Sequence, residues 1–411
     1  MAGKHPAADF EAEINRVLCT HGFCSVIYTA KPKLRCNTQI TLQDPRNLSI
    51  ILSTQRKHTM AAALLAREWR HVEIAPAAAG GGAGGAGAPA AAAADSDDPG
   101  PVAAPYRYTV LQWNMLADGL AQTGGLVTPP GLLTWEARWP LIQAEIAAAA
   151  ADIVCMQEVN HVGELTKLMR GYDVMYCPKL RSPALHSGAD ADGIALFTSS
   201  ARFRLVDART VHYRRDGGVL ANQAVLLAHL SDRSAAGRHL VVGCTHLKAG
   251  GDAASVAMRA DQARQLVRAA SQFRTRAAAA AGLAPADMSL LLAGDLNDSP
   301  DSAMYTTMMR SNLHLASAYN SLPRPPRFSA AATAAYAAGE PDFTTWKWRT
   351  STVGGPATEH RHTSDYIWVS PTVTVEEVRC LPTAAAIGVA ALPSRHYPSD
   401  HLSLAVRVSI A

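Results

Sequence analysis

The chain has 411 residues, of which 48% are hydrophobic and 18% are charged, enough for one large domain and a small one. Its net charge of +4 is too mild to indicate a nucleic-acid partner by itself. No run of about 18 strongly apolar residues occurs, so we expect no membrane span. The seven cysteines form no C-x-x-C pair, which argues against a disulfide framework or a zinc site and fits a reducing compartment. No secretory signal or acid-poor transit peptide is visible, so the expected location is cytoplasmic.

A low-complexity segment divides the chain. Residues 75–105 read APAAAGGGAGGAGAPAAAAADSDDPGPVAAP, in which Val102 is the one large apolar residue. Such a composition cannot bury enough apolar surface to order itself, so it predicts a flexible linker. The linker separates a short N-terminal region, residues 1–74, from a long C-terminal region, residues 106–411, which is large enough to be a catalytic domain.

The N-terminal region has the pattern helix, three strands, helix. Its strand-like segments are CSVIYTA, CNTQITLQ and LSIILS, and KHTMAAALLAREW closes it as a strong helix former that begins with basic residues. This order resembles a degenerate double-stranded-RNA-binding domain, which implies RNA contact. The alternative is a small α+β accessory region that contacts no RNA.

The C-terminal region alternates apolar runs with helical segments. Many of the runs are apolar on both faces, as expected for strands covered on both sides. We therefore expect an α/β fold with two sheets packed face to face and helices outside. The strand candidates are YTVLQWNML, ADIVCMQEV, DGIALFTS, QAVLLAHL, HLVVGCTHL, SLLLAGDLN, SDYIWVS and HLSLAVRV, and the main helix candidates are TWEARWPLIQAEIAAAA, HVGELTKLMR, SVAMRADQARQLVRAASQFRTRAAAAA and DSAMYTTMMR.

Polar residues mark the ends of these apolar strands. Because the ends of neighbouring strands lie close together, the groups are expected to converge on one rim of the sandwich. A set of carboxylates, amides and imidazoles without thiolates suits a hard cation such as Mg²⁺. The residues are Asn114, Glu158, His246, Asp295, Asn297, Asp365, Asp400 and His401.

Each of these residues taken singly has an ordinary structural explanation. Asn114 suits a turn, and Asp295 and Asn297 suit a helix cap. Glu158 suits an exposed strand end, and His246 suits a hydrogen-bonded core position. Independent caps would have no reason to fall at the same end of successive strands, so the set as a whole favours a site.

The motifs that contain these residues resemble a known superfamily. LQWNMLA, MQEV, DGIALF, THLKA, GDLNDSP, TTWKWRT, RHTSDYIW and YPSDHLSL occur in this order across residues 106–410. They look like the motifs of the endonuclease/exonuclease/phosphatase superfamily, and within it like carbon-catabolite-repressor-type deadenylases, above all the nocturnin-like group. The resemblance implies a four-layer α/β/β/α sandwich that hydrolyses phosphate esters with Mg²⁺, for which Mn²⁺ could substitute.

The resemblance also implies roles, which are assigned motif by motif. Glu158 would be the main metal ligand, with Asn114 and Asp400 close to the metal. Asp295 would orient or deprotonate the attacking water, and Asn297 would help to hold the water or the phosphate. His401 would contact the scissile phosphate, Asp365 would hold that imidazole, and His246 would bind another phosphate oxygen.

Basic residues around the same rim would bind the substrate and determine its specificity. Lys179, Lys248, Lys347 and Arg349 match positions that are basic in nocturnin-like sequences, and strand alternation puts Lys347 and Arg349 on one face. The alternative explanation is ordinary solvated charge. An arginine that the nocturnin-like pattern has after THLKA is absent here, where Gly250 follows. Its role would be lost or supplied elsewhere, with Arg214, Arg215 and Arg259 as the candidates.

Three functions remain open from the sequence. The first is release of the 2′-phosphate of NADP⁺ and NADPH. The second is 3′→5′ trimming of poly(A) RNA, which an RNA-binding N-terminal region would favour and which needs stacking aromatics that the chain lacks outside Trp346 and Trp348. The third is a catalytically dead scaffold, disfavoured because every expected acid, amide and imidazole is present.

Overall fold

We describe a computed structural model for residues 26–28, 64–65, 67–72, 106–235, 237–321, 339–351 and 355–410. The linker prediction for residues 75–105 and most of the predicted N-terminal elements lie outside the described residues.

The described residues form strands and α-helices in a mixed order along the chain. The strands are β1 (Val26–Tyr28), β2 (Trp69–His71), β3 (Tyr106–Asn114), β4 (Ile153–Val159), β5 (Tyr172–Pro178), β6 (Gly193–Ser199), β7 (Phe203–Arg214), β8 (Leu220–Asp232), β9 (His239–His246), β10 (Ser289–Asp295), β11 (Ala316–Ser317), β12 (Thr345–Thr350), β13 (Ala357–His362), β14 (Asp365–Val369), β15 (Val373–Arg379) and β16 (Leu404–Ile410). The α-helices are α1 (Asp118–Thr123), α2 (Trp135–Ala149), α3 (Val162–Leu168), α4 (Ala253–Ala281), α5 (Ala303–Met309) and α6 (Ala384–Ile387).

Two mixed sheets carry most of these strands. One sheet has the order β1-β5-β6-β4-β3-β16-β15-β2, and the other has the order β11-β14-β10-β9-β8-β7. The pair β12 and β13 forms a separate antiparallel hairpin. The expected α/β class is confirmed, with helices between strands and both parallel and antiparallel pairing.

Three apolar clusters explain why so many strands are apolar on both faces. Val110 of β3 and Leu291 of β10 belong to one cluster, which contains residues of both sheets. Their neighbours point the other way because successive strand residues alternate: Leu111 joins a cluster with α2, and Leu292 joins one with α4. The order helix, sheet, sheet, helix agrees with these clusters.

Among the strands of more than three residues in the two sheets, three were not predicted from the sequence. They are β5, β7 and β15, and each lies at or next to an edge of its sheet. In β7, charged and half-exposed residues interrupt the apolar ones, because an edge strand buries less of its surface. Their apolar periodicity is therefore weaker than that of the central strands.

The described parts of the predicted N-terminal region pair with the larger sheet. β1 pairs with β5, and β2 pairs with β15, so these segments extend opposite edges of the larger sheet. The Arg67 guanidinium donates to the Ser403 backbone carbonyl and hydroxyl at 2.7 Å and lies 3.3 Å from the Glu145 carboxylate. The sequence interpretation instead extended a helix through Trp69. A strand forms at Trp69 because its backbone pairs with Arg379.

Within the described part of the chain, no helix combines the length and apolarity needed to cross a bilayer.

Candidate active site

Strand register brings four of the sequence-predicted residues to one rim. Asp295 ends β10 and lies opposite His246, which ends the parallel neighbour β9. On its other side Asp295 lies opposite Asp365, the first residue of the antiparallel β14. Asn114 ends β3 in the other sheet, and its side chain crosses to Asp295. All four side chains are buried.

A β-bulge directs Glu158 toward this rim. The pairing of β4 with β6 shifts register between Gln157 and Val159, and Glu158 between them has a φ of +57°. Positive φ is rare in residues other than glycine and costs about 1–3 kcal/mol, a cost that tends to persist at functional sites. Its carboxylate accepts hydrogen bonds from the Asn114 side-chain amide at 3.1 Å and from the Ala117 backbone at 3.2 Å.

Side-chain amides join the two sheets beneath the rim. The Asn114 amide donates to Glu158 and also to Asp295 Oδ2 at 2.9 Å. Two residues earlier on β3, the Gln112 amide donates to Gln157 at 2.6 Å and to Asp365 Oδ1 at 3.3 Å. The bonds from Asn114 to Asp295 and from Gln112 to Asp365 cross between the sheets and fix how far apart their carboxylates lie.

His401 forms a buried ion pair with Asp365. Its Nδ1 lies 2.9 Å from Asp365 Oδ2, and the same oxygen accepts hydrogen bonds from the hydroxyls of Thr344 at 2.7 Å and Ser364 at 3.1 Å. Burial alone would lower the pKa of His401, but Asp365, Asp295 and Asp400 outweigh it and raise the pKa to about 9. The imidazole is therefore protonated at neutral pH.

The pKa of Asp295 is raised above its ordinary value. Burial raises its pKa from 3.8 to about 6, while His401 acts in the opposite direction. Its Oδ1 accepts from the backbone N–H of Asn297 at 2.9 Å, and its Oδ2 lies 3.8 Å from His401 Nδ1. A carboxylate with a pKa near 6 can take a proton from water at neutral pH and release it again.

Lys347 and Arg349 converge on Asp400. Lys347 Nζ donates to Asp400 Oδ2 at 2.5 Å, and Arg349 lies 3.7 Å from the same oxygen, so the predicted common face is present. Burial would raise the pKa of Asp400, but Lys347, His401 and Arg349 hold it well below its usual range. Lys347 Nζ also lies 3.2 Å from His401 Nε2. With His401 protonated, both atoms carry donors, an arrangement that favours an anion beside them.

His246 and Asn297 complete the rim. Nε2 of His246 lies 3.6 Å from Asp295 Oδ2, while its buried Nδ1 has no hydrogen-bond partner among the described residues. Burial first, then the charge of Lys179, lowers the pKa of His246 to about 3, so the ring is neutral. Asn297 has a φ of +53°, and its amide donates to the Leu247 carbonyl at 3.2 Å.

The structure and the sequence indicate different sets of side chains for a metal ion. Asp295, Asp365 and His401 each offer one ligand atom within 4.8 Å of the others. We regard this set as an ion pair, because His401 is protonated and Asp365 Oδ2 already accepts two hydroxyl hydrogen bonds. The predicted set of Glu158, Asn114 and Asp400 supplies carboxylate and amide groups, and among the described residues the buried Asp400 Oδ1 has no hydrogen-bond partner. That donor chemistry fits Mg²⁺.

The two remaining predicted lysines lie at the edge of the site. Lys179 lines a small pocket with His246, and its ammonium pairs with buried Asp192. The Lys248 ammonium donates to the carbonyl of Ala249 at 2.5 Å.

The backbone explains the glycine that follows. Gly250 has a φ of +123°, and a β-carbon there would approach Ser255 Oγ to 2.8 Å, so an arginine would be strained. Arg259 does not replace it, because its guanidinium is buried against Asp298 at 3.0 Å and donates to the Gly250 carbonyl at 2.6 Å.

Several supporting residues escaped sequence reasoning. Thr344 and Ser399 position His401: the first donates to Asp365, and the second accepts from the His401 backbone N–H at 3.1 Å. Ser399 belongs to the YPSDH motif, so its proximity to His401 in the sequence was a usable signal. Arg138 is buried and donates to three loop carbonyls, those of Met115, Leu116 and Pro398, and nothing in its helical segment indicates this.

Comparisons with known proteins agree with this geometry. A sequence model described as the Endonuclease/Exonuclease/phosphatase family matches residues 111–401. Nocturnin of Rattus norvegicus is 35% identical over 308 residues, covering 72% of this chain and 64% of that protein. The chain thus spans less than two thirds of the length of the rat protein and also of the human one.

Solved structures extend the comparison. The human nocturnin catalytic domain with bound sulfate matches with a TM-score of 0.56 and 32% identity, covering 75% of this chain and 94% of that one. ANGEL2, a 2′,3′-cyclic phosphatase, in complex with adenosine-2′,3′-vanadate, matches with a TM-score of 0.59 at 17% identity, over 84% of this chain and 99% of that one, a likeness of fold alone. Since the family match covers most of the chain and includes the rim from Asn114 to His401, the chain belongs to the Endonuclease/Exonuclease/phosphatase family.

Proposed function

We propose that the chain is a Mg²⁺-dependent phosphoesterase that releases the 2′-phosphate of NADP⁺ and NADPH. The observation that carries the reaction class is the pair of donors on His401 and Lys347, 3.2 Å apart and next to the carboxylate of Asp295. Two adjacent cations bind a phosphate dianion, and a carboxylate beside them can accept the proton of an attacking water.

Asp295 is the proposed general base. Its pKa of about 6 keeps most of the group ionised at neutral pH while leaving it basic enough to accept a proton. The hydrogen bonds from the Asn114 amide and the Asn297 backbone hold both carboxylate oxygens in place. Asn297 is proposed to hold the water or the phosphate next to Asp295.

His401 is the proposed donor to the scissile phosphate. Asp365 fixes the proton on Nδ1 and stabilises the positive charge, so Nε2 presents an N–H to the phosphate. His246 is neutral, and we propose that it donates from Nε2 to a second phosphate oxygen.

Glu158, Asn114 and Asp400 are the proposed residues for the metal ion. Members of the family generally depend on a divalent metal, and the unpartnered Asp400 Oδ1 and the Glu158 carboxylate offer oxygen ligands. When bound, Mg²⁺ neutralises charge on the phosphate oxygens.

The aromatic residues support a small substrate over a polymer. Trp346 is buried, packs on Phe343 with ring centroids 5.5 Å apart, and donates to Glu359 at 2.7 Å. Trp348 donates to the Val389 carbonyl at 3.1 Å. Because Trp346 is buried and packed on Phe343, its ring is not free to stack on a base of a single-stranded RNA, which leaves half-exposed Trp348 as the remaining stacking residue of the two that the sequence offered.

Parallel assays test the proposal. Purified protein with Mg²⁺ is given NADPH in one reaction and 5′-labelled oligo(A) in another, with Asp295→Asn as the blank. Phosphate release from NADPH with intact RNA is the expected result. Shortened RNA with untouched NADPH would replace this proposal with the exoribonuclease, and equal background for wild type and Asp295→Asn would indicate a scaffold.

A further inference from the structure

The β12–β13 hairpin has two faces of different chemistry. Residues directly opposite each other in an antiparallel pair share a face, so Lys347 shares a face with His360, and Arg349 shares it with Thr358. The alternate residues, Trp346 and its partner Arg361 among them, occupy the other face.

On the face that carries Trp346, the polar and aromatic groups contact one another. The Trp346 indole donates to Glu359, and the Arg361 guanidinium lies over the Trp346 and Phe343 rings at 5.0 Å and 4.5 Å. The other face is the one turned to the active site, because Lys347 reaches Asp400. His360 therefore lies on the active-site face of the hairpin.

His360 is exposed, and its ring has a hydrogen-bond contact within its own strand. Its Nε2 lies 3.2 Å from the Thr358 hydroxyl. Partial burial, then Arg349 and Lys347, lower the pKa of His360, so the ring beside these two cations is neutral at neutral pH. The charged or titratable groups that face it are Lys347 and Arg349 on the paired strand and His362 on its own strand, with Asp400 and His401 beyond Lys347.

We propose that His360 is a specificity-determining residue that, together with Arg349, binds a second anionic group of the substrate, a diphosphate, while Lys347 serves the scissile phosphate. This rests on the proposed function. A diphosphate between Arg349 and His360 would reverse the local charge and favour the protonated imidazole. Binding of a dinucleotide such as NADPH would then take up a proton, whereas binding of a nucleotide with one phosphate would not.

The first test compares two substrates. Wild type and His360→Gln are assayed with NADPH and with adenosine 2′-monophosphate at pH 6 and pH 8. For NADPH at pH 6 we expect kcat/KM to fall about tenfold in His360→Gln, mainly through KM, as for loss of one hydrogen bond to a charged group. Adenosine 2′-monophosphate should be unaffected. His71→Gln, an exposed histidine at the edge strand β2, is the matched control.

The second test does not depend on turnover. Inorganic pyrophosphate is titrated calorimetrically without added metal, in buffers of different ionisation enthalpy. Wild type should bind about tenfold more tightly than His360→Gln at pH 6 and should take up more protons on binding than the variant does. Equal pyrophosphate binding by both proteins, or an equal loss of kcat/KM on both substrates, would overturn the role of His360. Normal pyrophosphate discrimination without phosphate release from either nucleotide would overturn the proposed function instead.

Discussion

Replacing Asp365 with Asn should shift the alkaline limit of activity. The asparagine keeps the shape of the side chain but removes the negative charge 2.9 Å from His401 Nδ1. The hydroxyl of Thr344 would still have an oxygen to donate to. The substitution therefore tests the ion pair rather than the packing.

The structure gives the magnitude. The carboxylates around His401 raise its pKa from 6.5 to about 9 against the effect of burial, a difference worth about 3 kcal/mol. Asp365 is the largest of the raising contributions, so the pKa of His401 should fall toward or below its ordinary value in Asp365→Asn. At neutral pH the imidazole would then lose its proton, and kcat/KM should fall by about 10²–10⁴.

The expected pH profile follows from the signs of the two shifts. Asp295 must be ionised to act as a base, so activity should be lost as the pH falls through about 6. His401 must be protonated, so activity should be lost as the pH rises through about 9. The contribution of the His401 ion pair to stability has the same direction: it is fully present below pH 6.5 and is lost as the pH rises through about 9.

The assay is kcat/KM against pH for phosphate release from NADPH. Asp342→Asn, a change of an exposed acid shortly before β12, is the control and should leave the profile unchanged. Asp365→Asn should retain an acid limb, which can also move because Asp365 contributes to the raised pKa of Asp295, and should move the alkaline limb to lower pH. An alkaline limb that stays near pH 9 in Asp365→Asn would refute the assignment to His401.

Three further changes test other parts of the structure. Arg67→Met should lower the free energy of unfolding by about 3 kcal/mol because buried Glu145 loses one of its cations. An unchanged denaturant midpoint would show that the segment containing Arg67 does not stabilise the domain. Gly250→Ala should cost about 1–2 kcal/mol of unfolding free energy because of its positive φ, whereas Gly251→Ala, with open space around it, should be nearly neutral; equal melting temperatures would contradict this. Chelation should abolish phosphate release and added Mg²⁺ should restore it, and Glu158→Gln should need more Mg²⁺; full activity in chelator would exclude the metal.

Much of the candidate site could be predicted from local sequence pattern. Asn114, Glu158, His246 and Asp295 each end or interrupt an apolar strand, and strands of this kind keep their register because a slip of one residue would expose the apolar side. The alternation of Lys347 with Trp346 likewise predicted which side chains share a face. These properties depend on neighbours in the sequence, so they could be found without the fold.

Contacts between distant segments were decided by the tertiary structure. The amide of Gln112 meets Asp365 across the two sheets, and Arg67 meets Ser403 after most of the chain has intervened. Arg259 was a candidate for substrate contact but is buried against Asp298.

The sequence alone determined which groups end the strands, because strand period and turn chemistry are local properties. It could not determine how two sheets and a hairpin meet, which sets the distance between His401 and Lys347. Nor could it give the pKa of Asp295 or His401, since burial and neighbouring charges arise only when strands far apart in the chain pack together.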